Sequence, residues 1–173
     1  MNIAVYGFMG VGKTTIGMLL AERLGYSFLN MDAEIERREG TKISTIFNEK
    51  GEPYFRKLES DLVQSLTKTD EQVIACGGGT VANRDNAEAL KSVARMVYLT
   101  ASITEIINRT KDDSNRPLLD VDDPRNTALL LFEKRKPIYE RYAEVTIDTT
   151  GLAPKVVVDK IPVSYTHLTL PTN

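Results

Sequence analysis

GFMGVGKT, residues 7–14, decides the fold, because it is a complete phosphate loop of the form G-x-x-x-x-G-K-[ST]. A strand is predicted before it at 3–6 and a helix after it at 15–24, which is the context this loop requires. Glycines let successive N–H groups point at one anion, and the positive end of the helix adds to that field. Lys13 can then bridge the β- and γ-phosphates of a nucleotide, and the Thr14 hydroxyl can ligate Mg²⁺.

The composition predicts a single soluble domain. The chain has 173 residues, of which 42% are hydrophobic, and this is enough for one sizeable core. A net charge of −2 offers no basic excess for nucleic acid, and no apolar run is long enough to span a bilayer, so neither partner is expected. Cys76 is the only cysteine and cannot form an internal disulfide. With no visible signal peptide, this predicts a cytoplasmic location.

Histidine and cysteine chemistry are both poorly supported. The only histidine, His167, lies in a C-terminal stretch that does not fit the rest of the fold. Cys76 ends an apolar run, which is typical of a buried structural thiol rather than a nucleophile. Histidine metal sites and cysteine catalysis are therefore not expected.

Predicted strands alternate with predicted helices along the chain. The strands fall at 3–6, 26–30, 72–76, 95–99 and 145–148. The helices fall at 15–24, 32–39, 43–50, 52–66, 85–91, 124–143 and 154–161, with a further helix opening at a capping box formed by Ser102 and Glu105. Asn83 is the expected N-cap of the helix at 85–91. Apolar strands alternating with helices predict a parallel sheet covered on both faces.

Two segments stand apart from this alternation. Residues 111–123 are polar and rich in aspartate with no clear period, and a loop of this length in a compact domain is usually functional. Residues 162–173 begin with a proline, are rich in threonine and proline, and show no pattern that faces a core. We interpret the domain as residues 1–161 and the remainder as an appended segment, a native disordered tail being the alternative.

The residues around the phosphate loop favour a kinase over other nucleotide-binding classes. A GTPase needs an N-K-x-D guanine reader after a late strand, and the sequence has none. The D-x-x-G match at 148–151 lies too near the C-terminus for that role. A motor ATPase normally carries an acidic residue at the end of its Walker-B strand, whereas the strand at 72–76 ends in three glycines.

Two strand ends should meet the phosphate loop, because ligands of such sheets bind at the carboxyl ends of the strands. The strand at 26–30 delivers Asn30 and Asp32, and a carboxylate there can accept or orient a substrate hydroxyl. Asp32 could equally cap the short helix that follows it. Gly77, Gly78 and Gly79 end the strand at 72–76 and suggest close approach of the backbone to a ligand, a flexible turn being the alternative.

Three arginines are candidates for binding anions. Arg116 lies in the polar loop, where a kinase needs a cation to neutralise the transferring phosphoryl group. Arg56 and Arg135 lie on predicted helices and would form a fork for a small carboxylate or phosphate if they face one pocket. A solvated surface charge is the alternative for any single arginine.

Taken together, these motifs resemble the shikimate kinase family. The likeness includes the phosphate loop, FLNMD at 28–32, G-E-x-x-F-R-x-x-E at 51–59, the glycines at 77–79, RPLL at 116–119 and R-x-P-x-Y at 135–139. Order and spacing hold over residues 1–161. The resemblance implies a three-layer α/β/α P-loop kinase fold, with a five-stranded parallel sheet of order 2-3-1-4-5 and a lid loop at about 111–124. We also expect a monomer.

The implied reaction is ATP-dependent phosphorylation of the shikimate 3-hydroxyl, in the pathway to chorismate and the aromatic amino acids. By resemblance, Lys13, Asp32 and Arg116 are catalytic, and Mg²⁺ is held by Thr14 and, through a water molecule, by Asn30. Arg109 would stack on the adenine, with the Pro154 region on its other side. The full set implied to bind the nucleotide is Gly10, Val11, Gly12, Lys13, Thr14, Thr15, Arg109, Arg116 and Pro154.

The implied acceptor site combines charged groups with the glycine turn. Arg56 and Arg135 would clamp the shikimate carboxylate, and Glu59 would hold Arg56 in place. Asp32 would hold the acceptor hydroxyls, and Gly78 would offer its backbone N–H. The set implied to bind the substrate is Asp32, Arg56, Gly77, Gly78, Gly79 and Arg135.

The chain departs from the family pattern at one position, and two alternative functions stay open. The family usually has Asp-x-Asp where this chain has Asn30-Met31-Asp32, and the neutral amide predicts weaker retention of Mg²⁺ without loss of activity. A related kinase for a small metabolite such as gluconate is one alternative, because gluconate is also a hydroxylated carboxylate. A nucleotide-binding module without transfer activity is the other, motivated by Asn30 and the unusual C-terminal segment.

Overall fold

A five-stranded parallel sheet forms the centre of the protein. The computed structural model describes residues 1–110 and 122–162. The strands run in the order β2-β3-β1-β4-β5, which confirms the expected order 2-3-1-4-5. Their bounds are β1 (Asn2–Gly7), β2 (Ser27–Asn30), β3 (Gln72–Ala75), β4 (Ala94–Thr100) and β5 (Val145–Asp148).

Eight helices lie within the described residues. They are α1 (Lys13–Leu24), α2 (Met31–Glu39), α3 (Ile43–Lys50), α4 (Glu52–Leu66), α5 (Arg84–Val93), α6 (Ile103–Thr110), α7 (Pro124–Tyr142) and α8 (Pro154–Lys160). Parallel strands joined by right-handed crossovers place α1 on one face, and α4, α5 and α7 on the other. The packing agrees, because α1 contacts α8 whereas α4 contacts α5. The expected α/β/α layering of a P-loop kinase is therefore confirmed.

The central strand β1 is fully buried, and its register with its neighbours fixes where the strand ends lie. Every residue of β1 is buried, as expected for a strand covered on both faces. The parallel register pairs Val5 with Ala75 on one side and Gly7 with Leu99 on the other. Asn30 at the end of β2 pairs with Ala75. The carboxyl ends of β1, β2 and β3 therefore open onto one edge of the sheet.

Helix caps show where local sequence signals and tertiary contacts differ. Asn83 caps α5 as predicted, because its side chain accepts a hydrogen bond from the Asn86 N–H. The Ser102 hydroxyl likewise accepts from the Glu105 N–H at 3.2 Å. The reciprocal half of that capping box is absent among the described contacts, since the Glu105 carboxylate instead contacts Arg109 and the Gly151 N–H.

The C-terminal segment is only partly described. α8 ends at Lys160, and Ile161 is buried against the core. The lid predicted at about 111–124 and the appended segment predicted at 162–173 both fall mostly outside the described residues. The domain boundary at residue 161 stays a prediction. Within residues 1–110 and 122–162, no helix combines the length and apolarity needed to cross a lipid bilayer.

Candidate active site

The phosphate loop lies between the end of β1 and the start of α1. Gly10 and Gly12 have φ angles of 81° and 98°, in the region that side-chain-bearing residues rarely adopt, so both positions require glycine. Gly12 precedes α1 and makes no side-chain cap, which leaves the first N–H groups of the helix facing the loop. Oriented N–H groups and the helix dipole together make an anion site.

A cavity of about 350 Å³ opens beside this loop, within the range of small-molecule sites. The ammonium of Lys13 hydrogen-bonds the carbonyl oxygens of Gly7 at 2.8 Å and Phe8 at 3.1 Å, so it lies over its own loop. The predicted residues that line the cavity come from the ends of three strands and the start of α1: Gly10, Gly12, Lys13, Thr14, Thr15, Asn30, Asp32 and Gly78.

Asn30 joins the phosphate loop to the start of α2. Its Nδ2 donates to the Thr14 hydroxyl at 2.8 Å, and its Oδ1 accepts from the Ala33 N–H at 3.0 Å. Asn30 is therefore the N-cap of α2, and the alternative in which Asp32 caps that helix is wrong. Asp32 lies one residue inside the helix, in its first turn.

The two predicted Mg²⁺ residues are adjacent, but they offer few ligands. The described residues contain no cluster of three histidine, cysteine, aspartate or glutamate side chains that could hold a metal. Thr14 contributes one hydroxyl oxygen and Asn30 a neutral amide. Mg²⁺ is commonly held by one or two protein ligands together with waters and substrate phosphates, so this donor set fits an ion that arrives with a nucleotide.

The three glycines after β3 lie directly against the predicted acceptor residues. A Cβ built on Gly77 would lie 2.8 Å from both Asp32 Oδ1 and Glu59 Oε2, and one built on Gly79 would lie 2.5 Å from Arg56 Nη1. Both distances are below any real contact, so the carboxylates and the guanidinium occupy space that a side chain would fill. Close approach, rather than flexibility, explains Gly77 and Gly79, whereas a Cβ on Gly78 would make only ordinary contacts.

Arg56 is held by two carboxylates of its own helix. Its Nη1 donates to Glu59 at 2.7 Å, while Nε and Nη2 both donate to Glu52 at 3.3 Å. The Glu59 side chain is 1% exposed, and its second oxygen accepts from the Thr80 hydroxyl at 2.8 Å. A buried carboxylate with both oxygens engaged fixes the guanidinium firmly.

Arg135 approaches the glycine turn from α7. It is 7% exposed, and its Nη1 makes no hydrogen bond to any described residue. That nitrogen lies 3.6 Å from a Cβ built on Gly78. A buried guanidinium nitrogen without a partner is costly, so an anion is expected to satisfy it.

Tyr139 lies one turn beyond Arg135 and pins the same glycine turn. Its hydroxyl donates to the Gly78 carbonyl. Its own carbonyl accepts from the Tyr6 hydroxyl at 2.6 Å. Burial raises the pKa of Tyr139 to about 12 against the opposing effect of Arg135, so the hydroxyl stays a donor at neutral pH. Sequence reasoning placed Tyr139 in a motif but gave it no role in the site.

On the other side of the loop, Arg109 connects α6 to the segment after β5. Its Nη1 donates to the Gly10 carbonyl at 3.0 Å, and its Nη2 donates to Glu105 at 2.6 Å. Glu105 also accepts from the Gly151 N–H, and the Thr149 hydroxyl lies 3.3 Å from the Val11 carbonyl. Arg109 thus lies beside the loop, near the segment that leads to Pro154, and its predicted role at the adenine stays a prediction.

Thr149 and Glu105 were not predicted as site residues, although Thr149 directly follows β5 at the ligand-binding edge. Cys76 lies at the same edge, and burial raises the pKa of its thiol to about 12. It is therefore a neutral, buried group, as the sequence suggested. Arg116 falls outside the described residues.

Comparison with known proteins agrees with the geometry. The family model described as shikimate kinase matches residues 9–165. A shikimate kinase from Thermodesulfovibrio yellowstonii is 42% identical over 167 residues, covering 96% of each chain. One from Chromobacterium violaceum is 43% identical over 149 residues, covering 86% of this chain and 81% of the other.

Solved structures show the same relation. The shikimate kinase from Acinetobacter baumannii in complex with shikimate superposes with a TM-score of 0.92 at 39% identity, covering 98% of this chain and 95% of the other. A gluconokinase from Sinorhizobium meliloti has a TM-score of 0.61 at 18% identity. The second likeness shows a shared fold alone.

Proposed function

The chain belongs to the shikimate kinase family, and we propose that it transfers the γ-phosphoryl group of ATP to the 3-hydroxyl of shikimate. The products are shikimate 3-phosphate and ADP, in the route to chorismate and the aromatic amino acids. The observation that carries the residue assignments is the convergence of Arg56, Arg135 and Asp32 on the glycine turn beside the phosphate loop.

Carboxylate recognition falls to the two arginines. Arg135 brings a buried Nη1 with no described partner, and Arg56 is anchored by Glu59. The two guanidinium groups lie against neighbouring glycines of the same turn, so both can donate N–H groups to one carboxylate. The acceptor ring is then held with its carboxylate away from the phosphate loop and its hydroxyls toward Asp32.

Proton transfer falls to Asp32. Its carboxylate lines the same cavity as Lys13 and the first turn of α1. The hydroxyl oxygen attacks the γ-phosphorus in line, the bond to the β-phosphate oxygen breaks, and the hydroxyl proton passes to Asp32. ADP leaves with the electron pair of the broken bond, so atoms and charges balance.

Charge on the transferring group is neutralised by the loop and its neighbours. Lys13 exchanges its bonds to the Gly7 and Phe8 carbonyls for phosphate oxygens, while the N–H groups at the start of α1 hold the remaining charge. Arg116 adds a second cation, as its sequence motif implies. Thr14 and Asn30 would hold Mg²⁺, which would supply further neutralisation of the phosphate charge.

The nucleotide base and the setting of the enzyme complete the proposal. Arg109, next to the Gly10 carbonyl, stacks on adenine, and the Pro154 segment covers its other face. The chain acts as a cytoplasmic monomer. Its single cysteine is a free, buried thiol, which suits a reducing compartment.

The test couples ADP release to added acceptor. Shikimate should support turnover and gluconate should not. Turnover with gluconate alone would instead favour a gluconate kinase, and ATP binding without acceptor-dependent turnover would indicate a non-catalytic module.

Two variants of α7 test the acceptor site. Arg135→Ala should raise the KM for shikimate about tenfold to a hundredfold, because a charge-assisted hydrogen bond is worth about 1.5–3 kcal/mol. Arg141→Ala, on the exposed face of the same helix, should not change it.

A further inference from the structure

The guanidinium of Arg56 is shared between two carboxylates that differ in kind. Glu59 is 1% exposed and accepts from Nη1 at 2.7 Å. Glu52 is 49% exposed and accepts from Nη2 at 3.3 Å through a single oxygen, which also takes the Nε–H at 3.3 Å. The first contact is short, buried and supported by Thr80. The second is long, solvated and made by a residue at the start of α4.

Glu52 occupies the edge of Arg56 that an incoming carboxylate would use. The Nε–Nη2 edge presents two parallel N–H groups, which match the two oxygens of a carboxylate. Because Glu59 already holds Nη1, this edge is the part of the guanidinium best placed for bidentate binding. Glu52 meets it with one oxygen at 3.3 Å, so its hold is weaker than a bidentate pair. Two carboxylates cannot share that edge without repulsion.

We propose that Glu52 is a displaceable internal competitor for the acceptor carboxylate. It occupies the binding edge of Arg56 while the acceptor site is empty and leaves when a carboxylate binds. The cost of displacing it lowers the affinity of every acceptor whose carboxylate binds that edge. This inference rests on the proposed role of Arg56 in binding the shikimate carboxylate.

The test uses Glu52→Gln, which removes the charge but keeps the size of the side chain. Exposed ion pairs are weak, so the KM for shikimate should fall only about two- to fivefold, with the KM for ATP unchanged. The inhibition constant of cyclohexanecarboxylate, measured against shikimate, should fall by a similar factor, because displacing Glu52 costs each carboxylate the same free energy. The variant therefore binds carboxylates better.

The matched control is Asp61→Asn. Asp61 lies on the same helix, is 60% exposed and pairs with Lys57 at 2.9 Å. Its substitution therefore removes the same charge without disturbing a contact of Arg56. We expect it to change neither constant. An unchanged or raised KM for shikimate in Glu52→Gln would overturn the proposal, because Glu52 would then be a bystander or a support for Arg56.

A third variant separates this inference from the proposed function. If the unmodified enzyme turns over shikimate but Arg56→Ala leaves the KM for shikimate unchanged, the role of Arg56 is wrong and the Glu52 proposal falls with it. If Arg56→Ala raises that KM and Glu52→Gln does not lower it, only the Glu52 proposal is wrong.

Discussion

Gly79→Ala should weaken shikimate binding, because its new methyl group would push the Arg56 guanidinium out of position. A Cβ at this position would lie 2.5 Å from Arg56 Nη1, and 2.9 Å from both Cζ and Nη2. Gly79 does not have a positive φ, so the backbone itself tolerates alanine. To reach an ordinary contact, the guanidinium must shift by about 0.9 Å. Its bond to Glu59 is only 2.7 Å long and joins a buried carboxylate, so the shift disturbs that anchor.

The size of the effect follows from the hydrogen bonds at stake. A misplacement of about 1 Å at a binding group can cost about a hundredfold, and one charge-assisted hydrogen bond is worth about 1.5–3 kcal/mol. We therefore expect the KM for shikimate to rise about tenfold to a hundredfold. The KM for ATP should stay the same, because the phosphate loop contacts neither Gly79 nor Arg56 in the described contacts. Steady-state kinetics with each substrate varied in turn measures both constants.

A double-mutant cycle provides the control. Arg56→Ala removes the side chain that the new methyl would strike, so Gly79→Ala should cost nothing more in that background. Additive losses in the double variant would refute this reasoning, because the methyl would then be acting on something other than Arg56. Equal increases in the KM for ATP and for shikimate would refute it as well.

Three further variants or probes test other parts of the site. Tyr139→Phe removes the donor to the Gly78 carbonyl and should raise the KM for shikimate but not for ATP. Tyr6→Phe removes the buried hydrogen bond to the Tyr139 carbonyl but keeps the contact with Gly78, so it should mainly lower the melting temperature. Asn30→Asp turns the amide beside Thr14 into a charged acceptor and should lower the Mg²⁺ concentration needed for half-maximal rate. Titration with Mn²⁺, followed by electron paramagnetic resonance, should show tighter metal binding. An unchanged metal affinity would count against a role of residue 30 in holding the ion. The Cys76 thiol, buried and with its pKa raised to about 12, should react with iodoacetamide at pH 8 only after unfolding; rapid labelling of the native enzyme would contradict its burial.

Much of the fold was predictable because its signals are local. A glycine-rich loop between a strand and a helix can hardly be placed otherwise, and the bounds of α3, α4 and β5 agree with the sequence to the residue. Apolar strands alternating with helices required a parallel sheet. The strand order came from the family resemblance, since the local pattern does not state which strands are neighbours.

What the sequence could not resolve depended on competition between nearby groups. Asn30 and Asp32 both suit an N-cap, and the register of β2 decides between them by placing Asn30 at the helix boundary. Glu105 could reach back to Ser102, but Arg109 and the Gly151 N–H offer better partners in the folded chain. The role of Tyr139 at the glycine turn likewise depends on a contact across 61 positions of the chain.

The proposed reaction depends on one arrangement of side chains, and a crystal structure with shikimate and ADP tests that arrangement most directly. We expect the shikimate carboxylate within hydrogen-bonding distance of Arg135 Nη1 and of the Nε–Nη2 edge of Arg56. The hydroxyl that accepts the phosphoryl group should face Asp32 beside the phosphate loop. A shikimate molecule bound elsewhere, or one whose carboxylate contacts neither arginine, would contradict the account.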